Sequence, residues 1–199
     1  MTRQFSPEVQ VVGVVGAGVM GIGITQTLAQ NHFDVILIDV SEEILRTAEI
    51  AIKNSVRLQR LFGKAGETRD VLERITLTTD LSRIADVGFV IETVTETPEA
   101  KQSVYEAIDR ICAPDTIFAS NTSAIPINRI ASLTTRAPKV IGTHFMNPVP
   151  LTTAVEVIRG EQTSEETLAV TESLLERMGK QYVVVNDSAG FVSNRVLML

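Results

Sequence analysis

The residues with the clearest chemical potential are His144 and Glu156. His144 is one of two histidines and ends an apolar run just before Asn-Pro. Glu156 lies inside the apolar run 154–158, where a buried carboxylate without a partner would be costly. An imidazole suits it, because a carboxylate on one ring nitrogen fixes the tautomer and raises the basicity of the other. Such a pair has the chemistry of a general base for an alcohol proton.

A glycine loop, Gly-Ala-Gly-Val-Met-Gly, follows an apolar strand predicted at 10–15 and opens a helix predicted to run to about residue 30. In this setting the first glycine makes the turn, the second lets a pyrophosphate approach the backbone, and the third packs the helix on the strand. The free N–H groups of the first helical turn then face the phosphates. The residues predicted to contact a dinucleotide here are Gly16, Gly18, Val19, Met20 and Gly21.

Asp39 ends the next predicted strand, at 35–39. A carboxylate at this position accepts hydrogen bonds from both hydroxyls of an adenosine ribose and repels a 2′-phosphate. Residues 40–43 contain no Arg or Lys to bind that phosphate. We therefore predict NAD, and not NADP, as the cofactor; the alternative is a structural turn followed by a solvated aspartate.

The composition is that of an ordinary globular protein, with 44% apolar and 21% charged residues among 199. A net charge of −6 gives no general attraction to nucleic acid or to anionic lipid. No run approaches the length of a membrane span and the first residues carry no apolar signal core, so a cytoplasmic location is predicted. The single cysteine, Cys112, is expected to be a buried small hydrophobe, and no metal site is predicted.

Predicted strands and helices alternate along the chain, which is typical of an α/β fold with a parallel sheet. A helix opened by Glu42 is followed by strands at 75–78 and 87–92, and a capping box beginning at Thr163 opens a helix that Gly179 closes. The other predicted strands are 116–119, 139–144, 154–158 and 181–185, and the other main helices are 98–112 and 126–133. A last helix is predicted from residue 188 onward.

Six segments, in order and spacing, resemble the 3-hydroxyacyl-CoA dehydrogenase family. The resemblance spans nearly the whole chain and implies a Rossmann-like, doubly wound, mostly parallel sheet with flanking helices. It also implies that NAD oxidises a 3-hydroxyacyl thioester to the 3-ketoacyl form. The segments are residues 16–21, Ile-Glu-Thr-Val-Thr-Glu at 91–96, Ser-Asn-Thr-Ser at 120–123, His-Phe-Met-Asn-Pro at 144–148, Val-Glu-Val-Ile at 155–158 and Gly-Phe-Val-Ser-Asn-Arg at 190–195.

The resemblance also implies roles for individual residues. His144 matches the catalytic base and Glu156 the carboxylate paired with it. Ser123 matches a serine near the substrate hydroxyl and the nicotinamide, and Asn194 an active-site asparagine. The positions that match further NAD contacts are Glu96, Lys101 and Asn147.

The family continues into a helical domain that closes the acyl pocket and forms a homodimer, whereas this chain stops at Leu199. We predict an NAD-binding domain at 1–187 and the start of the helical domain at 188–199. The apolar side chains of the last helix would then lack a packing partner. They are Val192, Val196, Leu197 and Leu199. In this form the chain is expected to bind NAD with little or no turnover.

Two alternatives stay open. The first keeps the chemistry but moves the acyl group from CoA to an acyl carrier protein. Substitutions near the acyl site motivate it, since Met146 and Thr152-Thr-Ala replace residues that are common in the family. Basic residues that would meet CoA phosphates or an acidic carrier are Arg57, Arg60, Lys64 and Arg69. The second is a non-catalytic NAD-binding module, which would need only the glycine loop and Asp39.

Overall fold

The computed structural model describes residues 9–63 and 68–197. It opens with β1 (Val11–Val15), α1 (Val19–Gln30) and β2 (Asp34–Ile38). The two strands pair in parallel, with Val12 opposite Val35. Parallel strands require a crossover, and α1 supplies it. The predicted βαβ unit is therefore present.

The remaining elements follow in the predicted alternation. No helix among the described residues combines the length and apolarity needed to cross a membrane. The helices are α2 (Glu42–Leu61), α3 (Thr68–Glu73), α4 (Pro98–Ile111), α5 (Ile127–Ala131), α6 (Glu165–Arg177) and α7 (Ser193–Leu197). The strands are β3 (Ile75–Thr78), β4 (Phe89–Glu92), β5 (Ile117–Ser120), β6 (Val140–Phe145), β7 (Ala154–Arg159) and β8 (Gln181–Asn186). Short 3₁₀ turns lie at Leu81–Ile84 and Ala137–Lys139.

All of these strands form one sheet in the order β3-β2-β1-β4-β5-β6-β7-β8. From β1 the chain winds outward to β2 and β3, then returns to the other side of β1 for β4, β5 and β6. The strand order therefore reverses between β1 and β4, and open sheets bind their ligands at the carboxyl ends of the strands beside such a switch point. The predicted doubly wound, mostly parallel architecture is confirmed.

The sheet changes direction once, between β6 and β7. These strands are antiparallel, whereas β7 and β8 are parallel to each other. The connection at 146–153 is too short for the helical crossover that a parallel pair needs, so β7 must run back beside β6. In the resulting register, His144 lies directly opposite Glu156.

Helices cover both faces of the sheet and create two apolar cores. One core includes Leu28 of α1, Ile52 of α2 and Leu175 of α6. The other includes Ile108 of α4 and Ile130 of α5. Strand residues alternate between the two cores, and the pair on β6 and β7 lies on the side of α4 and α5. The second core is incomplete over β8, where Val183 is 53% exposed.

Three sequence predictions were wrong in detail. The cap of α6 is Ser164, whose hydroxyl accepts from Thr167 N, whereas Thr163 is buried and donates its hydroxyl to Val140 O. The last helix begins at Ser193, because residues 188–192 form a turn with Gly190 in the left-handed region. Helix α5 is shorter than the predicted range 126–133. Predictions for Lys64 and Leu199 lie outside the described residues.

The contact between β1 and α1 leads to a prediction about stability. A Cβ on Gly21 would lie 1.9 Å from Gly16 O and 2.8 Å from Thr93 Oγ1, so the turn would have to open. We expect Gly21→Ala to lower the free energy of unfolding by about 1–3 kcal/mol, measured in urea without ligand. Gly18→Ala is the matched control, because a Cβ on Gly18 meets nothing within 4 Å. Equal losses from the two changes would contradict this account.

Candidate active site

The centre of the site is the imidazole of His144, which is held from both sides. Nδ1 lies 2.7 Å from Glu156 Oε2, and Nε2 lies 3.2 Å from Ser123 Oγ. A carboxylate only accepts hydrogen bonds, so Nδ1 carries the proton and the lone pair of Nε2 points toward the Ser123 hydroxyl. Both members of the pair are buried, with His144 7% and Glu156 5% exposed. The pair lies where β6 ends at the carboxyl edge of the sheet.

Glu156 accepts hydrogen bonds from three further donors besides the imidazole. Val192 N and Ser193 N donate to Oε1 at 3.1 and 2.7 Å, and Ser193 Oγ donates to Oε2 at 2.7 Å. Burial raises the pKa of this carboxyl, but the hydrogen bonds from His144, Ser193 and Val192 outweigh it and hold the pKa below its ordinary value. Glu156 therefore stays ionised at neutral pH.

A tight turn after β8 brings those donors to Glu156. Gly190 and Phe191 both have positive φ, 72° and 50°, which is uncommon for a bulky residue and stores strain in the backbone. The Phe191 ring is 2% exposed, and its centroid lies 5.9 Å from that of His144. Burial of this ring fixes the turn, and the turn aims its next two N–H groups at the carboxylate.

The loop after β5 supplies the other side of the site. Its backbone at Ser123 donates to Glu96 Oε1 at 2.9 Å, and Ser123 O accepts from Asn194 Nδ2 at 2.8 Å. The Thr122 hydroxyl also donates to Glu96. Ser123 is thus positioned by side chains from the β4–α4 connection and from α7, elements far apart in sequence.

Behind this loop lies a fully buried ion pair. Lys101 Nζ lies 2.9 and 2.8 Å from the two carboxylate oxygens of Glu92, and both residues are at most 1% exposed. Ser120 Oγ donates to Glu92 at 2.7 Å. Lys101 also reaches Glu96 Oε2 at 3.2 Å. The chain of contacts therefore runs from Glu92 through Lys101 and Glu96 to Ser123.

Glu96 is the partly exposed end of this chain. Burial raises the pKa of its carboxyl, but the Thr122 hydrogen bond and the charge of Lys101 outweigh it, so the pKa lies below its ordinary value. Of the two predicted cofactor contacts here, Glu96 is open to the edge of the sheet. Lys101 is buried, with its ammonium shared between two carboxylates.

The glycine loop has the shape that a dinucleotide requires. Gly16 has φ 105° and lies against Thr93 O, so the turn requires a glycine at this position. Gly18 differs, because its φ is −76° and the space where a Cβ would stand is open. Gly18 also gives α1 no side-chain cap. Open space and uncapped N–H groups at Val19 and Met20 fit a pyrophosphate that approaches the backbone there.

Asp39 lies beside this loop at the end of β2. Its Oδ2 accepts from Ala17 N at 2.8 Å and its Oδ1 from Ser41 N at 3.3 Å. Each oxygen retains a lone pair, so the carboxylate is oriented and still able to bind two ribose hydroxyls. The residues that follow, Glu42 and Glu43, are acidic and exposed. The surroundings therefore fit NAD and oppose a 2′-phosphate.

The loop between β6 and β7 carries Asn147, another predicted cofactor contact. Asn147 is exposed and precedes Pro148 through a cis peptide bond. The loop is held from below by Lys180, whose Nζ donates to Val149 O and Thr152 O, both at 2.6 Å. Burial lowers the pKa of that amine.

Three of the basic residues predicted to meet a carrier, Arg57, Arg60 and Arg69, line a separate cleft between α2 and α3. Its volume is about 540 Å³, and Arg69 in its wall is paired with Glu73 at 2.6 Å. The cleft is lined by Lys53, Arg57, Arg60, Thr68, Arg69, Leu72 and Glu73. It is formed by other elements than those that hold His144.

Comparison with protein-family models matches residues 11–188 to the 3-hydroxyacyl-CoA dehydrogenase NAD-binding domain. The chain belongs to the 3-hydroxyacyl-CoA dehydrogenase family. It therefore contains that family's NAD-binding domain, and NAD is its cofactor. The predicted family and cofactor are confirmed.

Relatives within the 3-hydroxyacyl-CoA dehydrogenase family agree in sequence and in structure. Probable 3-hydroxybutyryl-CoA dehydrogenases of Bacillus subtilis and Deinococcus radiodurans are 46% and 44% identical, over 96% and 94% of this chain. The structure of (S)-3-hydroxybutyryl-CoA dehydrogenase from Ralstonia eutropha superposes with a TM-score of 0.93 at 38% identity, covering 96% of this chain. The chain spans 67% of each of the two sequence relatives and 68% of that structure.

Sequence reasoning missed two groups of the site. Glu92 ends the apolar strand β4, so the cost of burying a carboxylate, which singled out Glu156, applied equally to it. Ser193 precedes the predicted Asn194, but its contact with Glu156 depends on the turn at Phe191, which periodicity does not reveal.

The buried ion pair gives a second stability prediction. Lys101→Met would leave Glu92 buried without its cation, so the free energy of unfolding should fall by about 3–5 kcal/mol in urea. The double change with Glu92→Gln should recover most of that loss, because no unpaired charge remains. Lys53→Met, at an exposed lysine, is the control. A loss below about 1 kcal/mol for Lys101→Met would show that the pair is not structural.

Proposed function

We propose that the protein oxidises a 3-hydroxyacyl thioester to the 3-ketoacyl thioester with NAD, reversibly, and that His144 is the general base. The observation that carries this proposal is the imidazole with Glu156 at Nδ1 and a hydroxyl at Nε2, at the carboxyl edge of the sheet. Family membership supports the reaction class. The names of the relatives support 3-hydroxybutyryl-CoA as the first substrate to test.

In this mechanism His144 Nε2 accepts the proton of the 3-hydroxyl group. Glu156 keeps the Nδ1 proton in place and stabilises the imidazolium that forms, without taking the proton itself. NAD, when bound, supplies the acceptor for the hydride that leaves C3. Loss of that hydride and of the hydroxyl proton leaves a carbonyl at C3. In the reverse direction His144 returns the proton.

Ser123 and Asn194 orient the reacting oxygen in this proposal. The Ser123 hydroxyl lies 3.2 Å from Nε2. A substrate hydroxyl bound beside it would be within hydrogen-bond distance of the same imidazole lone pair. Asn194 holds the Ser123 carbonyl through its amide nitrogen and keeps its amide oxygen available. Glu96, Lys101 and Asn147 belong to the proposal as residues that bind or support NAD at the same edge.

The carrier of the acyl group has two candidates. The relatives' names favour CoA. The cleft lined by Arg57 and Arg69 has the charge to meet either CoA phosphates or an acidic helix of an acyl carrier protein. Turnover of the same 3-hydroxybutyryl group on CoA and on a carrier protein distinguishes them. The proposed boundary between residues 187 and 188, the homodimer and the cytoplasmic location remain predictions.

A non-catalytic NAD-binding module is the competing class of function. It would account for the glycine loop and Asp39, but not for a buried carboxylate that binds a histidine and accepts from three further donors. Such an arrangement is costly to build and stabilises charge on the imidazole. The catalytic proposal is therefore preferred.

The role of the pair is tested by single and double substitutions. We expect His144→Ala and Glu156→Gln each to lower kcat by about 10²–10⁴-fold, the usual effect of losing a general base. The double variant should be little slower than the slower single one, because the two residues act as a unit. NADH absorbance is followed with 3-hydroxybutyryl-CoA, in this chain and in a fusion to the remaining third of the Bacillus subtilis relative.

Calorimetry with NAD is the control for these variants, since neither side chain belongs to the glycine loop. Unchanged NAD affinity with lost turnover supports the proposal. Near-normal turnover in either single variant would remove the pair from the mechanism. Tight NAD binding without any thioester-dependent NADH signal in the fusion would favour the non-catalytic module.

Cofactor choice is tested at Asp39. Asp39→Asn keeps an oxygen for Ala17 N but removes the charge that opposes a 2′-phosphate. We expect the parent chain to prefer NAD strongly and the variant to lose most of that preference, by roughly one to two orders of magnitude in the ratio of dissociation constants. Fluorescence titration with NADH and NADPH measures the ratio. Equal affinities in the parent chain would refute the assignment of Asp39.

A further inference from the structure

The hydroxyl of Ser193 occupies an unusual position. It donates at 2.7 Å to Glu156 Oε2, the same oxygen that lies 2.7 Å from His144 Nδ1. Ser193 is also the first residue of α7, one position after the N-cap from which a serine hydroxyl commonly satisfies a backbone N–H of the helix. Here its hydroxyl is turned instead toward a carboxylate of the sheet.

This contact constrains the carboxylate in two ways. The backbone N–H of Ser193 also donates to Oε1 at 2.7 Å. Ser193 therefore binds both carboxylate oxygens and fixes the plane of the carboxylate. Because the hydroxyl shares Oε2 with the imidazole, it also lowers the basicity of that oxygen. A less basic oxygen leaves the Nδ1 proton on His144 and moderates the stabilisation of the imidazolium.

We propose that Ser193 is a positioning residue that orients Glu156 and sets the basicity of His144 through the shared carboxylate oxygen. The proposal rests on the proposed function for its catalytic consequence, but not for its effect on the pair itself. Without the hydroxyl, the negative charge on Oε2 is less compensated, so the imidazolium is favoured. The pKa of His144 then rises.

Other charged groups near the pair are the same in parent and variants. Glu96 and Lys101 form an ion pair at 3.2 Å, and Asp187 accepts a hydrogen bond from Asn128 N at 2.8 Å. Arg195 of α7 is exposed. A shift that follows only the Ser193 hydroxyl therefore reports on the shared oxygen.

The first test is an NMR titration of the two histidines in this chain without ligand. His32 is exposed at the end of α1 and serves as the internal reference. In Ser193→Ala we expect the His144 midpoint to rise by roughly 0.5–1 pH unit and that of His32 to stay. Ser193→Thr, which keeps a hydroxyl, should restore the parent value. Ser188→Ala, on the same segment and exposed, should have no effect.

The second test is kinetic and uses the fusion described above. Ser193→Ala should lower kcat by roughly tenfold with KM unchanged, because only the base is misplaced. The acid limb of its pH profile should move upward with the His144 midpoint, since a raised pKa leaves less neutral imidazole at a given pH. If the alanine variant does not fold, Ser193→Cys gives the same comparison with a weak donor of similar size.

The outcomes separate the two proposals. A His144 midpoint and a kcat that match the parent in Ser193→Ala would overturn the role of Ser193 while leaving the proposed reaction intact. A shifted midpoint without turnover in any chain, parent included, would support the effect of Ser193 on the pair and count against the reaction. A kcat loss that Ser193→Thr does not recover would also overturn the proposal.

Discussion

The antiparallel pairing of β6 with β7 is the constraint on which the rest of the site depends. It places His144 directly opposite Glu156 on one face of the sheet. A slip of one residue would send the carboxylate to the opposite face, into the apolar core that contains Val155, Val157 and Leu175 of α6. The short loop at 146–153 forces this direction, and Lys180 holds that loop through two of its carbonyl oxygens. The register is thus fixed by groups that never touch the imidazole.

Two buried carboxylates organise the two sides of the site, and they are balanced differently. Glu92 is paired with the ammonium of Lys101, and both side chains are almost completely buried. Glu156 is balanced by neutral donors and by an imidazole that can gain a proton. The first arrangement suits a fixed support for the Ser123 loop. The second suits a group whose partner changes charge during a reaction.

The fold and the centre of the site were predictable because local patterns encode them. Strand and helix alternation, the glycine loop and Asp39 are readable over short windows, and the burial cost of Glu156 pointed to His144. The contacts of Ser193 and the buried pair of Glu92 with Lys101 were not found. The first depends on a left-handed turn at Phe191, and the second on the meeting of β4 with α4. The cap of α6 was misplaced by one residue, because Thr163 found a buried carbonyl partner.

The turn at residues 188–193 has a consequence for how the molecule opens. It crosses the sheet face over β7, next to an edge strand with exposed valines, and is fixed mainly by the burial of Phe191. Segments with few buried contacts exchange their amide hydrogens through local fluctuations that leave the remainder folded. Release of this turn would free three of the donors on Glu156 while β1, α1 and β2 stay protected from exchange. We therefore expect the turn to open as a smaller cooperative unit than the βαβ unit of the glycine loop, so that the donors on Glu156 can be lost while that unit stays folded.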